Sequence, residues 1–140
     1  MGFSIRETIG ESKSQVWETV TDWTRAHQWM GGVSAVRMRD TGEAGVGSVL
    51  AFDVRGTERE RTITRWTPGD AFALRASRGN VTVVYIYRFE DSPQGTQASL
   101  DIECLGHGLG WRVLAPVVSA FAGRSNAGQL RALKKLVEGG

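Results

Sequence analysis

Hydrophobic and polar residues alternate along most of the first 106 positions of the chain. The alternating segments are 3–9, 33–40, 49–55, 57–66, 71–77, 81–90 and 98–104. Because successive side chains of a strand point to opposite faces of a sheet, each segment predicts a strand with one buried face. Glu7 is an exception in the first segment, since it falls in phase with apolar Phe3, Ile5 and Ile9.

Two short helices are predicted between the first and second strands. Ser12 stands three residues before Gln15, a spacing in which each side chain can satisfy a free backbone donor at a helix start. A second short helix is expected through His27 and Trp29. The hydrophobic period becomes helical again over residues 111–138, which predicts one long helix at the end of the chain.

Tight turns join the predicted strands. Pro68-Gly69 suits the central positions of a type II turn, because proline presets the first and glycine accepts a positive φ at the second. Gly79-Asn80 is typical of a two-residue hairpin loop. The predicted order is therefore one strand, two short helices, six strands in a meander and one long helix.

A further set of residues follows this order along nearly the whole chain. It comprises Ile9, Val16-Trp17, Thr21-Asp22-Trp23, Trp29, Val33, Val36, Gly45-Val46-Gly47, Trp66-Thr67-Pro68, Gly95-Thr96, Leu130, Leu133, Lys134 and Glu138. With these features the chain resembles the START-like helix-grip superfamily (SRPBCC), in its polyketide cyclase/dehydrase-like branch.

The resemblance implies an α+β fold: a seven-stranded antiparallel sheet wrapped around a long C-terminal helix, with two short helices between strands 1 and 2. It also implies an apolar cavity between helix and sheet. Members of the superfamily bind lipids, sterols, polyketides or plant hormones, and some close or dehydrate aromatic rings. The superfamily has no universal catalytic motif, so the resemblance carries over no catalytic residue.

Composition restricts the class of protein. A chain of 140 residues with 41% hydrophobic residues predicts a single domain over residues 1–140. Cys104 is the only cysteine and no HxxxH, HxH or CxxC spacing occurs, so we expect no disulfide, no metal and no cofactor. No basic and apolar leader follows Met1 and no long apolar run occurs, which favours a cytoplasmic protein without stable membrane insertion.

A net charge of +2 is too small to predict nucleic-acid binding. The cluster of Arg59, Arg61 and Arg65 is interleaved with Glu58 and Glu60. This alternation of charges is interpreted as a solvated strand face.

The predicted cavity would be lined by large aromatic and aliphatic residues with a few polar groups. The chosen lining comprises Phe52, Trp66, Arg78, Tyr85, Tyr87, His107, Trp111, Leu114, Val118 and Phe121. Several inward positions are small, among them Ala76, Ala98 and Cys104, which would leave room for a ligand. An ordinary hydrophobic core, with the tyrosines bonded to protein or water, is the alternative interpretation.

Three residues are candidates for proton transfer. Glu7 is predicted on a buried face, where desolvation raises the pKa of a carboxyl unless a cation pairs with it. Arg78 shares the inward phase and is a candidate partner for Glu7 or for an acidic ligand. His107, which we expect near the cavity mouth, and Tyr85 are the other catalytic candidates.

Three functions remain open from the sequence. The first is binding of a small hydrophobic or amphipathic ligand, lipid or polyketide-like, in the cavity. The second is a cyclase or dehydratase that uses the same cavity. The third is an interaction module with a collapsed cavity, in which Val84 and Ile86 on the outer face pair two chains as a homodimer.

Overall fold

The computed structural model describes residues 2–39, 42–78, 81–106 and 128–139. Seven strands form one antiparallel sheet in the order β1-β7-β6-β5-β4-β3-β2. The strands are β1 (Gly2–Ile9), β2 (Val33–Met38), β3 (Val49–Val54), β4 (Thr57–Thr67), β5 (Ala71–Arg78), β6 (Val81–Ser92) and β7 (Gly95–Gly106). The first and last strands pair, and the six later strands form the predicted meander.

Two short helices follow β1, as the sequence predicts. Helix α1 (Lys13–Val20) begins after Ser12, whose hydroxyl accepts a hydrogen bond from the backbone N–H of Gln15 at 3.3 Å. The second is a 3₁₀ helix (Trp23–Gln28) capped by Asp22. Each cap accepts a hydrogen bond from a backbone donor that the helix itself leaves unpaired.

The C-terminal helix α2 is described over Gln129–Gly139. The predicted helix spans 111–138, and its residues before 128 lie outside the described part of the chain, as does the predicted hairpin loop Gly79-Asn80. The predicted type II turn is present: Asp70 N–H donates to Thr67 O at 2.9 Å, and Gly69 has a φ of +83°.

Ionic hydrogen bonds join α2 to β1. Lys134 Nζ lies 2.8 Å from Thr8 O and 2.7 Å from a carboxylate oxygen of Glu138, which also accepts from the backbone N–H of Gly10 at 2.7 Å. The hydrogen bond from Lys134, and then that from Gly10, lower the pKa of the Glu138 carboxyl. These contacts fix the end of the helix against the edge strand of the sheet.

The buried side chains of the strands share one face of the sheet, which we call the inner face. It carries the alternating residues Ile9 on β1, Leu100 on β7, Tyr87 on β6, Phe72 on β5 and Leu50 on β3, all 0% exposed. Trp17 of α1 packs edge-on against aromatic rings of this face, with its ring centroid 5.9 Å from that of Phe72. The core therefore lies between the inner face and the helices.

A β-bulge in β4 changes which side chains reach the inner face. Ile63 pairs with Leu74, but Arg65 pairs with Ala73 and Trp66 with Phe72. Uninterrupted alternation from Ile63 would place Arg65 inside and Trp66 outside. The extra residue at the bulge reverses this phase and turns Trp66 toward the core.

No helix within the described ranges is long and apolar enough to cross a membrane.

Candidate functional site

An arginine lies over two aromatic rings on the inner face. The guanidinium carbon of Arg61 is 4.4 Å from the ring centroid of Phe52 and 4.3 Å from that of Tyr85. Both distances fall within the range of cation–π attraction. β3 supplies Phe52, β4 supplies Arg61 and β6 supplies Tyr85, and β5 lies between β4 and β6. The register of four strands thus assembles these three residues, which we call the Arg61 cluster.

The interpretation of Arg61 as part of a solvated strand face is wrong. Arg61 shares its phase with Ile63, which is 0% exposed, and it is itself only partly exposed. The interleaved Glu58 and Glu60 lie on the opposite, outer face, where Glu58 pairs with Arg37 and Arg39. Alternation along one strand separates neighbouring charges onto two faces, so they do not neutralise each other. The shared phase with Ile63 is the signal that could have found Arg61.

Tyr85 is buried, with 9% of its surface exposed. Its ring supports the Arg61 guanidinium, and its hydroxyl has no hydrogen-bond partner among the described residues. Arg61 likewise takes part in no ion pair or hydrogen bond in that part of the molecule. A charged group and a hydroxyl therefore lie together on a mostly apolar face, and no described residue accepts from their donors.

Tyr87 is fully buried two residues further along β6, and its hydroxyl donates a hydrogen bond of 2.8 Å to Gln129 Oε1. Burial raises the pKa of the Tyr87 phenol strongly, and the positive charge of Arg61 only partly opposes this shift. Tyr87 therefore stays protonated at neutral pH and acts as a donor. Trp29 packs edge-on against it at 5.9 Å, and the buried Trp29 Nε1 has no hydrogen-bond partner among the residues that the structure describes.

Glu7 and Arg78 lie at opposite ends of the sheet. In the sheet register, Glu7 lies opposite Ala98 of β7, and Ala98 lies opposite Phe89 of β6. Arg78 lies opposite Val81, at the other end of β6. Phe89 and Val81 are eight residues apart on β6, which separates the row of Glu7 from the row of Arg78 by about 26 Å. The register thus excludes the ion pair between them that the sequence allowed.

Glu7 also lies away from the Arg61 cluster. Tyr85 is in register with Ile102 and, through it, with Phe3, four residues from Glu7 along β1. Glu7 is half-buried on the inner face, in the predicted phase, and takes part in no ion pair in the described part of the chain. The side chain of Arg78 lies outside the description.

The structure brings together five inner-face residues: Phe52, Arg61, Trp66, Tyr85 and Tyr87. Trp66 lies at the α1 end of this group, 5.1 Å from Trp17 between ring centroids. The other predicted lining residues, His107, Trp111, Leu114, Val118 and Phe121, lie outside the described residues.

The described part of the molecule has open pockets on its surface, of which two are distinguished by their lining. One, of about 320 Å³, is lined by charged residues that include Lys13, Arg65 and Asp70. The other, of about 250 Å³, lies beside Trp29 and Gln129. The enclosed cavity between sheet and helix stays a prediction. No group of three or more metal-ligating side chains occurs within the ranges described.

The apolar patch predicted to pair two chains lies on the outer face. Val84 and Ile86 are half-buried there, and Arg75 and Glu103 flank Val84 across the neighbouring strands. The homodimer stays a prediction.

Comparison with known proteins gives a match over nearly the whole chain. A family model described as polyketide cyclase/dehydrase and lipid transport matches residues 3–138. No curated protein matches the sequence.

Solved structures share the fold at low sequence identity. The Zhui aromatase/cyclase from Streptomyces sp. R1128 is 17% identical with a TM-score of 0.75, covering 99% of this chain and 93% of its own. Protein MLL2253 from Mesorhizobium loti is 12% identical with a TM-score of 0.77 and coverages of 99% and 97%. Ara h 8.0201 is 14% identical with a TM-score of 0.69 and coverages of 100% and 99%.

Proposed function

The chain belongs to the polyketide cyclase/dehydrase and lipid transport family, and from this premise we propose that it binds a small hydrophobic or amphipathic molecule, lipid or polyketide-like. The ligand would lie between the inner face of the sheet and the C-terminal helix. Ligand sites of small molecules are mostly apolar walls with a few placed polar groups.

The observation that carries this proposal is the Arg61 cluster on an apolar face. Phe52 and Tyr85 provide flat apolar surface, while Arg61 and the Tyr85 hydroxyl provide unused donors beside it. A core built for stability alone is normally lined by apolar side chains, so a cation and a hydroxyl without a described partner mark this part of the inner face. Donors of this kind are useful when a ligand supplies the acceptor.

Ligand binding is tested by adding naphthalene derivatives and C12 lipids to the protein. We expect saturable quenching of tryptophan emission, because Trp29 packs against Tyr87 and Trp66 packs against Phe72 on the inner face. We also expect a rise in melting temperature of roughly 5 °C at saturation, since a ligand that binds only the native state stabilises it.

Two matched variants locate the site. Ala76 lies on the inner face of β5 opposite Val83, and Ala76→Phe would fill the space beside the cluster. Ser77→Phe adds the same ring to the exposed outer face. Binding lost in Ala76→Phe and kept in Ser77→Phe supports the proposal. Equal binding by both variants, or none by the wild type, contradicts it.

Catalysis by a cyclase or dehydratase is the second candidate, and the half-buried Glu7 favours it. A linear poly-β-ketone thioester should be turned over by the wild type and about 100-fold or more slowly by Glu7→Gln, with binding unchanged, because a general base contributes on that scale. The control is Glu103→Gln on the exposed outer face of β7. Equal rates in the wild type and Glu7→Gln would remove Glu7 from the chemistry.

A further inference from the structure

We propose that Arg61 is an anchor for a carboxylate, so that the ligand is an amphipathic acid whose anionic end lies at Arg61 and the Tyr85 hydroxyl. The inference rests on the proposed function and adds the chemical class of the ligand. Its basis is the position of the Arg61 guanidinium over the rings of Phe52 and Tyr85, together with the charges of the neighbouring residues.

The Arg61 side chain is a cation without a counter-ion among the described residues. A guanidinium is a cation throughout the physiological pH range. Within the described part of the chain no carboxylate pairs with it. The two rings at 4.4 and 4.3 Å attract the charge, but a ring face is a poor hydrogen-bond acceptor. The described residues therefore leave the N–H groups of Arg61 available to another molecule.

The geometry of these donors selects a planar anion. A guanidinium presents its five N–H groups in one plane, as a fork that matches the two oxygens of a carboxylate. The Tyr85 hydroxyl, on the ring that supports Arg61, supplies a further donor. The Tyr87 hydroxyl is already used by Gln129, so it does not compete for the same anion.

The charges nearby also favour an anion. Arg59 lies two residues from Arg61 in the same inner-face phase of β4, and it too is only partly exposed. The carboxylates of Glu58 and Glu60 are on the outer face, bound by Arg37 and Arg39. This part of the inner face thus carries positive charge that no described carboxylate cancels.

Titration of two acids against their methyl esters tests the proposal. The pairs are 2-naphthoic acid with methyl 2-naphthoate, and dodecanoic acid with methyl dodecanoate. Binding of each compound is measured by tryptophan quenching and by calorimetry at pH 7.5. We expect the wild type to bind the acids roughly tenfold to a hundredfold more tightly than the esters, the range for charged hydrogen bonds. Arg61→Met should lose this preference while still binding the esters.

Three further variants complete the test. Arg75→Met removes the same charge from the exposed outer face of β5 and should keep the acid preference. Tyr85→Phe should reduce it severalfold, and Arg61→Lys should retain part of it because the charge remains while the planar fork is lost. Circular dichroism and melting of each variant verify that it folds.

The outcomes separate the two proposals. Equal binding of acids and esters by the wild type, or an acid preference that survives in Arg61→Met, overturns the carboxylate anchor and leaves the proposed function standing. Failure of acids and esters alike to bind the wild type contradicts the proposed function, and the anchor falls with it.

Discussion

Replacement of Gly95 by alanine is expected to cost about 4 kcal/mol or more, which ranks among the largest effects of a single substitution. Gly95 begins β7 with a φ of +133°, a conformation that other residues rarely adopt. A Cβ atom there would overlap Ile9 O and lie 2.8 Å from Glu11 N, and both of these atoms are backbone. Side-chain rotation cannot relieve a contact with backbone, so β1 and the β6–β7 hairpin would have to separate.

The measurement for Gly95→Ala is equilibrium unfolding in urea, with the midpoint compared with that of the wild type. Gly45→Ala is the matched control, because no heavy atom lies within 4 Å of the position of its Cβ and it has no positive φ. We expect Gly45→Ala to unfold near the wild-type midpoint. A Gly95→Ala protein with an unchanged midpoint would contradict the close approach of β1 to the β6–β7 turn.

Replacement of Phe72 by alanine is expected to cost about 3–5 kcal/mol, the usual range for a buried phenylalanine. Phe72 is 0% exposed, and its ring stacks on that of Tyr87 with centroids 4.7 Å apart. Trp17 and Trp23 both meet it edge-on at 5.9 Å, so one ring links two helical elements to the sheet. Its removal leaves a cavity at the junction of these elements.

Urea unfolding of Phe72→Ala and Phe72→Leu measures this effect. Leucine keeps most of the volume, and we expect it to recover much of the lost stability. Val46→Ala is the control because Val46 is 70% exposed and its truncation removes little buried surface. Similar midpoints for Phe72→Ala and Val46→Ala would contradict the central place of Phe72 in the core.

Much of the fold was predictable from local patterns. Some features depend only on residues close in sequence, so local patterns predict them. They are the Ser12 cap, the turn at Gly69 and the alternation of β1, β6 and β7. The overall architecture came from the resemblance to helix-grip proteins. The strand order agrees with that expectation.

The site was less predictable. The sequence placed Tyr85 and Tyr87 on the inner face correctly, because their strand alternates without interruption. It missed Arg61, since a run of mixed charges resembles a solvated face until its phase is compared with that of Ile63. It also allowed Glu7 to pair with Arg78, which no local pattern could exclude.

The sequence by itself determined most strand residues, the start of α1 and the turn at Gly69, because these features depend on side-chain alternation, caps and turn residues within a few positions. Only the tertiary structure decided that Arg61 meets Phe52 and Tyr85, that Glu7 lies far from Arg78, and that the bulge in β4 turns Trp66 inward. These results depend on the register between strands distant in sequence, which local preferences do not specify.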